Sequence, residues 1–104
     1  MSLKGLQEQV DEWIRQYKIG YFQPLEIIAR LAEECGEVAR EVNHLYGSKP
    51  KKPTEEKREL GQEIADVIFT LCCLANSQGI DLDAAWKEVM DKCYARDTDR
   101  WEKK

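Results

Sequence analysis

The sequence predicts an all-α protein built from four helices. Apolar residues recur at intervals of three and four along most of the chain, and glycine and proline separate the segments that show this pattern. The period-two alternation typical of a β-strand is not found. A chain of 104 residues suits one modest hydrophobic core, so residues 1–104 are expected to form a single domain.

The first two helices are separated by a short connector. The first is predicted over residues 3–18, where the apolar side chains of one face are Leu3, Leu6, Val10, Trp13, Ile14 and Tyr17. Gly20 can end this helix, and Pro24 has the fixed backbone angle that suits the first turn of the next. The second helix is predicted from Pro24 to about Tyr46.

The third and fourth helices follow a loop rich in proline and lysine, residues 47–53. Thr54 is a suitable N-cap, and the two glutamates after it would interact favourably with the positive N-terminal end of the helix dipole. The third helix is therefore predicted from Thr54 to about Gln78. Asp81 is the expected cap of a fourth helix that ends near Arg96.

Composition excludes several classes of protein. The 16 basic and 20 acidic residues give a net charge of −4 and a pI near 5.1, which argues against a basic surface that binds nucleic acid. No apolar run approaches the roughly 20 residues of a membrane span, and no signal-peptide segment is recognised at the N-terminus. The expected location is the cytoplasm. Four cysteines without a C-x-x-C pair, and a single histidine, do not suggest a zinc site.

Two acidic motifs carry the candidate chemistry: EECGE in the second predicted helix and EIAD in the third. On an ideal helical wheel, Glu34 and Glu37 lie about 95° and about 155° from the centre of their apolar face. Glu63 and Asp66 lie about 90° and about 150° from theirs, in the same rotational sense. Antiparallel packing through the apolar faces would bring the four carboxylates together at one edge.

An oxygen-only set of ligands suits a hard cation such as Mg²⁺ or Mn²⁺. A di-iron site is disfavoured because it would use Glu-x-x-His pairs, and the chain has only His44. The alternative is an ordinary solvated face, since acidic residues on helix flanks commonly pair with neighbouring cations, as the spacing of Glu26 and Arg30 would allow. Spacing alone leaves both interpretations open.

The segment LAEECGEV, followed 25 residues after its last glutamate by EIADVIF and then LANSQGIDL, resembles the MazG family of nucleotide pyrophosphohydrolases, in particular its short single-domain bacterial members. The pattern E-E-x-x-E, a gap, then E-x-x-D is that family's metal-binding signature. The resemblance extends from the first helix to Arg96. One departure is Gln62, which stands where a second acidic residue often precedes the glutamate.

The resemblance implies a metal-binding set of four carboxylates: Glu34, Glu37, Glu63 and Asp66. It also implies that Glu33 supports these ligands or orients the attacking water. The expected reaction is Mg²⁺-dependent hydrolysis of a (d)NTP to a (d)NMP and diphosphate, as nucleotide-pool house-cleaning. A non-catalytic nucleotide-sensing or protein-interaction module, or a purely structural adaptor, is the alternative.

Further residues are candidates for substrate binding. Lys92 and Arg96 would meet phosphates by resemblance, or else complement the dipole at the end of the fourth helix. Asn76 could reach the nucleotide or serve as a buried packing amide. Phe22 and Trp13 are the candidates for an aromatic wall against the base, although aromatic residues at helical spacing are more often core.

The bundle is expected to be completed by homo-oligomerisation. The second and third helices carry apolar sides that a lone chain of this size would cover incompletely, and the resemblance implies a homodimer or homotetramer. A lysine-rich loop, Lys49, Lys51 and Lys52, could close over phosphates or could remain solvated.

Overall fold

The computed structural model describes residues 2–48 and 59–104, and within them the chain forms helices without strands. The four helices are α1 (Leu3–Ile14), α2 (Pro24–Tyr46), α3 (Leu60–Ser77) and α4 (Leu82–Asp97). The predicted all-α class and the number of helices are therefore confirmed. None of the described helices combines the length and the apolar character needed to cross a membrane.

Side-chain caps explain where two of the helices begin. The Ser2 hydroxyl accepts a hydrogen bond from the backbone N–H of Gly5 at 2.9 Å. The Asp81 carboxylate accepts from the backbone of Asp83 and Ala84, which confirms it as the cap of α4. Gly79 takes a positive φ of 67° in the turn before that cap, a conformation that a side chain would strain.

The first helix is one turn shorter than its apolar pattern predicts, because α1 ends at Ile14. Beyond it the backbone tightens into turns in which Tyr17 donates to the carbonyl of Ile14 and Gly20 donates to that of Tyr17. Gly20 has a positive φ of 64°. Tyr17 therefore belongs to the connector, and its ring still packs edge-on against Trp13 at 5.2 Å.

The prediction of one continuous third helix from Thr54 onward is wrong, since Glu59 has an extended backbone and caps α3. The capping box is reciprocal: the Glu59 side chain accepts from the backbone of Gln62, and the Gln62 side chain accepts from the backbone of Glu59 at 3.1 Å. Thr54 itself and the lysine-rich loop lie outside the described residues.

Helix α3 is the centre of the fold. It packs most extensively against α2 and also against α1, whereas α4 packs against α1. The buried apolar side chains of the described residues are Val10, Ile27, Cys72 and Ala75. Since α4 has no buried residue, the core is formed by the other three helices.

The chain is unusually open for its length. Its radius of gyration is 17.2 Å, against about 13 Å for a compact domain of 100 residues. The molecule is a slab of 48 × 45 × 26 Å, and many large apolar side chains stay exposed. The most exposed of them are Leu25, Tyr46, Ile19, Tyr94 and Trp101. A single copy of the chain thus leaves much of its apolar surface uncovered.

Candidate active site

The two acidic motifs come together where α2 packs against α3. One carboxylate oxygen from each of Glu34, Glu63 and Asp66 lies within 4.8 Å of the others. We call these three residues the acidic cluster. Glu63 and Asp66 are three residues apart and therefore share one face of α3, and Glu34 approaches them from α2.

The environment of Glu34 opposes its negative charge. Burial raises the pKa of Glu34 above its ordinary value, and the charges of Asp66 and Glu63 raise it further. Arg30 acts in the opposite direction, and Glu37 adds a smaller increase. Glu63 is only 4% exposed, so a carboxylate with little access to water lies next to two others.

The cluster has the donor chemistry of a site for a hard divalent cation, which prefers carboxylate oxygens. The other two predicted carboxylates lie outside this group of three. Glu37 is exposed on α2, close enough for its charge to act on Glu34, and Glu33 is exposed beside Glu34. The structure thus brings three of the four predicted ligands within reach of one ion.

An apolar cavity of about 410 Å³ has residues in its lining that lie one helical turn from the acidic cluster. Thr70 and Phe69 in its lining are four and three residues beyond Asp66 on α3, and the Thr70 hydroxyl donates to the Asp66 carbonyl at 2.9 Å. Both predicted aromatic candidates, Trp13 and Phe22, line it as well. We call this space the aromatic cavity.

The walls of the aromatic cavity come from α1, the connector, α2 and α3. Trp13 on α1 packs edge-on against Phe69 on α3, with ring centroids 5.9 Å apart. Phe22 belongs to the connector, and the Arg30 guanidinium of α2 lies over its ring at 5.7 Å from the centroid. The cavity therefore exists only when α1, the connector and α3 are correctly packed.

Asn76 is held by a set of hydrogen bonds that we call the amide network. Its amide nitrogen donates to the Gln7 carbonyl and to the Tyr21 hydroxyl, both at 2.9 Å, and its oxygen accepts from the Gln7 side chain at 3.0 Å. Because both amide hydrogens are used, the geometry favours the packing amide over direct contact with a nucleotide. The Tyr21 hydroxyl in turn donates to Asp11 at 2.6 Å.

Gln7 completes the amide network. Its side chain, in a residue only 7% exposed, donates to the Ile80 carbonyl at 2.7 Å and accepts from the Leu82 backbone at 2.9 Å. It thereby ties α1 to the end of α3 and to the start of α4.

Burial and the hydrogen bond to Asp11 raise the pKa of Tyr21 to about 12.

The two predicted phosphate-binding cations lie on α4. Lys92 and Arg96 are both exposed, and Arg96 forms a paired contact with the adjacent Asp97, at 3.2 Å for each nitrogen. Within the described part of the chain, α4 packs mainly against α1, whereas the acidic cluster lies on α2 and α3.

With this geometry established, comparison with known proteins identifies the family. The sequence profile of the MazG nucleotide pyrophosphohydrolase domain matches residues 22–101. The chain belongs to the MazG family. It is accordingly a hydrolase that acts on nucleotide pyrophosphate bonds.

Relatives of this MazG domain come from Bacillus. Over 103 residues, 99% of this chain and 93% of the relative, it is 54% identical to the uncharacterized protein YpjD of Bacillus subtilis. The crystal structure of YpjD superposes with a TM-score of 0.79, covering 88% of this chain and 94% of that one. A Bacillus-conserved MazG protein described as a nucleotide pyrophosphohydrolase is 47% identical, with a TM-score of 0.79 and coverage of 95% and 96%.

Sequence reasoning missed two features of the site. Arg30 was considered only as a partner for Glu26, yet among the described residues it forms no ion pair and stacks on Phe22 instead. Its position one helical turn before Glu34 was the available signal. Gln7 and its partners could not have been found, because hydrogen bonds between residues about 70 positions apart leave no local pattern.

Proposed function

We propose that this MazG domain hydrolyses a nucleoside triphosphate, ribo or deoxy, to the monophosphate and diphosphate with the help of Mg²⁺. The observation that carries the proposal is that two residues lining the aromatic cavity, Arg30 and Thr70, lie one helical turn from Glu34 and Asp66 of the acidic cluster. One feature suits a metal–phosphate complex and the other suits a nucleobase. Clearing unwanted nucleotides from the cytoplasmic pool is the role that we propose for the activity.

The residues that would hold the cation are Glu34, Glu63 and Asp66, with Glu37 as a fourth ligand on the exposed side. Mg²⁺ held there would neutralise charge on the triphosphate and make a water more acidic, and Mn²⁺ would supply the same chemistry. The convergence of one carboxylate oxygen from each of the three residues within 4.8 Å supports this assignment.

Other side chains would position the substrate and the water. Trp13 and Phe22 would stack against the base, in a cavity whose apolar walls exclude water. Glu33, exposed beside Glu34, would orient the attacking water and accept its proton. Attack on the α-phosphoryl group would release diphosphate and leave the monophosphate in the cavity.

We further propose that the active form is a homodimer or a homotetramer. The open shape of one copy and its exposed apolar side chains support this assembly. A second copy could also bring Lys92 and Arg96 to the phosphates, which α4 does not do within one chain. Sedimentation at micromolar concentration would show a dimer or larger species, and a stable monomer would overturn the proposal.

The activity is tested by measuring diphosphate release from a panel of ribo- and deoxynucleoside triphosphates, with and without Mg²⁺. The variants Glu37→Gln and Asp66→Asn should each lose activity, while Glu88→Gln on α4 serves as the control. Wild-type activity in both site variants would contradict the assigned ligands. Tight nucleotide binding without diphosphate release would favour the nucleotide-sensing module instead.

A further inference from the structure

The aromatic cavity contains one charged side chain in its lining, the guanidinium of Arg30. The Arg30 guanidinium carbon lies 5.7 Å from the centroid of the Phe22 ring, within the range of a favourable cation–π contact. Guanidinium is planar and weakly hydrated, so stacking on a ring holds it in place while its N–H groups remain free to donate in the plane. Phe22 therefore fixes a cation at the wall of an otherwise apolar space.

Arg30 lies between the two halves of the proposed site. It precedes Glu34 by four residues, one helical turn or about 6 Å along α2. Its charge lowers the pKa of Glu34 and so opposes the effect of the neighbouring carboxylates, while Arg30 itself lines the cavity. Among residues 2–48 and 59–104, it forms no ion pair with a carboxylate, so its donors are available to a ligand.

A nucleotide that spans the site must pass this guanidinium. With the base in the aromatic cavity and the phosphate chain directed to the acidic cluster, the phosphate attached to the sugar comes next to Arg30. Guanidinium donates two parallel hydrogen bonds to phosphate oxygens, a geometry that an ammonium group does not match. We propose that Arg30 binds the α-phosphate of the substrate and therefore also holds the monophosphate product. This inference rests on the proposed function.

The test measures inhibition by the two reaction products, because the α-phosphate is present in one product and absent from the other. The monophosphate carries the α-phosphate alone, and diphosphate carries the other two. In Arg30→Gln, the inhibition constant of the monophosphate should rise about 10-fold or more, as expected for loss of a charged hydrogen-bonding partner. The inhibition constant of diphosphate should change less than about twofold, and Arg30→Lys should give an intermediate loss for the monophosphate.

Lys18→Gln is the matched control, since Lys18 is an exposed cation of the connector between α1 and α2 and does not line the cavity. It should leave both inhibition constants unchanged. Arg30 is exposed, and thermal melting should show that its variants fold like the wild type. Equal monophosphate inhibition in wild type and Arg30→Gln would overturn the proposal, and so would an equal loss for both products, which would indicate only a general effect of charge.

The failure of the proposed function is detected separately. If wild-type protein releases no diphosphate from any triphosphate, equilibrium dialysis of radiolabelled monophosphate in the presence of Mg²⁺ replaces the inhibition assay. About 10-fold weaker binding by Arg30→Gln would then support the α-phosphate contact even though the activity had failed. Unchanged binding would overturn the contact.

Discussion

The acidic cluster and the amide network lie at opposite ends of α3, with Glu63 and Asn76 separated by 13 residues or about 20 Å along the helix. In the acidic cluster, groups of like charge are brought together at the cost of stability. In the amide network, each donor faces an acceptor on another element. One end of α3 is therefore suited to bind a ligand, and the other end holds the helices together.

This contrast predicts that substitutions at the two ends have opposite effects on stability. The largest effect is expected for Glu34→Gln, which should lower diphosphate release about 100-fold or more by removing a ligand. The same change should raise the melting temperature of the metal-free protein by a few degrees, about 4 °C per kcal/mol recovered, because it removes one of three clustered charges. Calorimetry and the diphosphate assay measure the two effects.

The control for Glu34→Gln is Glu26→Gln, which removes an exposed carboxylate from the same helix outside the cluster. It should leave both activity and melting temperature near those of the wild type. A lower melting temperature in metal-free Glu34→Gln would contradict the view that the cluster is strained.

At the other end of α3, Asn76→Ala should destabilise the protein by about 2–3 kcal/mol, because it removes the hydrogen bonds to the Gln7 side chain, the Gln7 carbonyl and the Tyr21 hydroxyl. Urea unfolding gives the free energy. Gln78→Ala is the control, since Gln78 follows two residues later and its side chain bonds only to the Ser77 hydroxyl. A raised KM with unchanged stability would indicate that Asn76 contacts the nucleotide after all.

Tyr21→Phe should have a smaller effect on the same network, about 1 kcal/mol, since the ring stays and only the hydroxyl is lost. Tyr17→Phe is a matched control, because Tyr17 lines the same cavity and its hydroxyl has no hydrogen bond to any residue in 2–48 or 59–104. Spectroscopic titration should also show that Tyr21→Phe removes the tyrosine with a pKa of about 12. Because this pKa is raised from 10.0, the contribution of the hydroxyl is present below pH 10 and lost as the pH rises toward 12.

The smallest effect is a pH dependence whose sign reverses with metal. The pKa of Glu34 is raised from 4.5, so its contribution to metal-free stability is present below pH 4.5 and is lost as the pH rises through the raised value. Protons compete with a bound cation, so Mn²⁺ affinity should instead increase over the same range. Melting curves at several pH values, with and without Mn²⁺, would show opposite slopes. Parallel slopes would exclude Glu34 as a ligand.

The sequence was sufficient for the features that depend on local pattern. Periodicity and capping residues predicted α2, the Asp81 cap and the four-helix class, and wheel geometry predicted that Glu34 meets Glu63 and Asp66. The same periodicity placed the end of α1 too late, because apolar spacing does not show that the chain turns before Gly20, which has a positive φ. It also continued α3 through Glu59, whose capping box with Gln62 decides the start of the helix.

What the sequence could not predict depends on contacts between distant segments. The contact of Arg30 with the Phe22 ring requires the connector to pack against α2. The spacing of residues along the sequence does not indicate this packing. The role of Gln7 requires α1 to lie beside the turn that follows α3. Both features follow from how the helices pack, and both change the interpretation of neighbouring residues that the sequence had already identified.

The separation of α4 from the core has a consequence for local unfolding. Because α4 contributes no buried side chain and packs only against α1 to any extent, opening it exposes little apolar surface and requires little free energy. Its backbone amides should exchange with deuterated solvent sooner than those in the middle of α3, where Cys72 is almost fully buried. If copies of the chain associate through α4, this exchange will slow as protein concentration rises, so amide protection would locate the interface residue by residue.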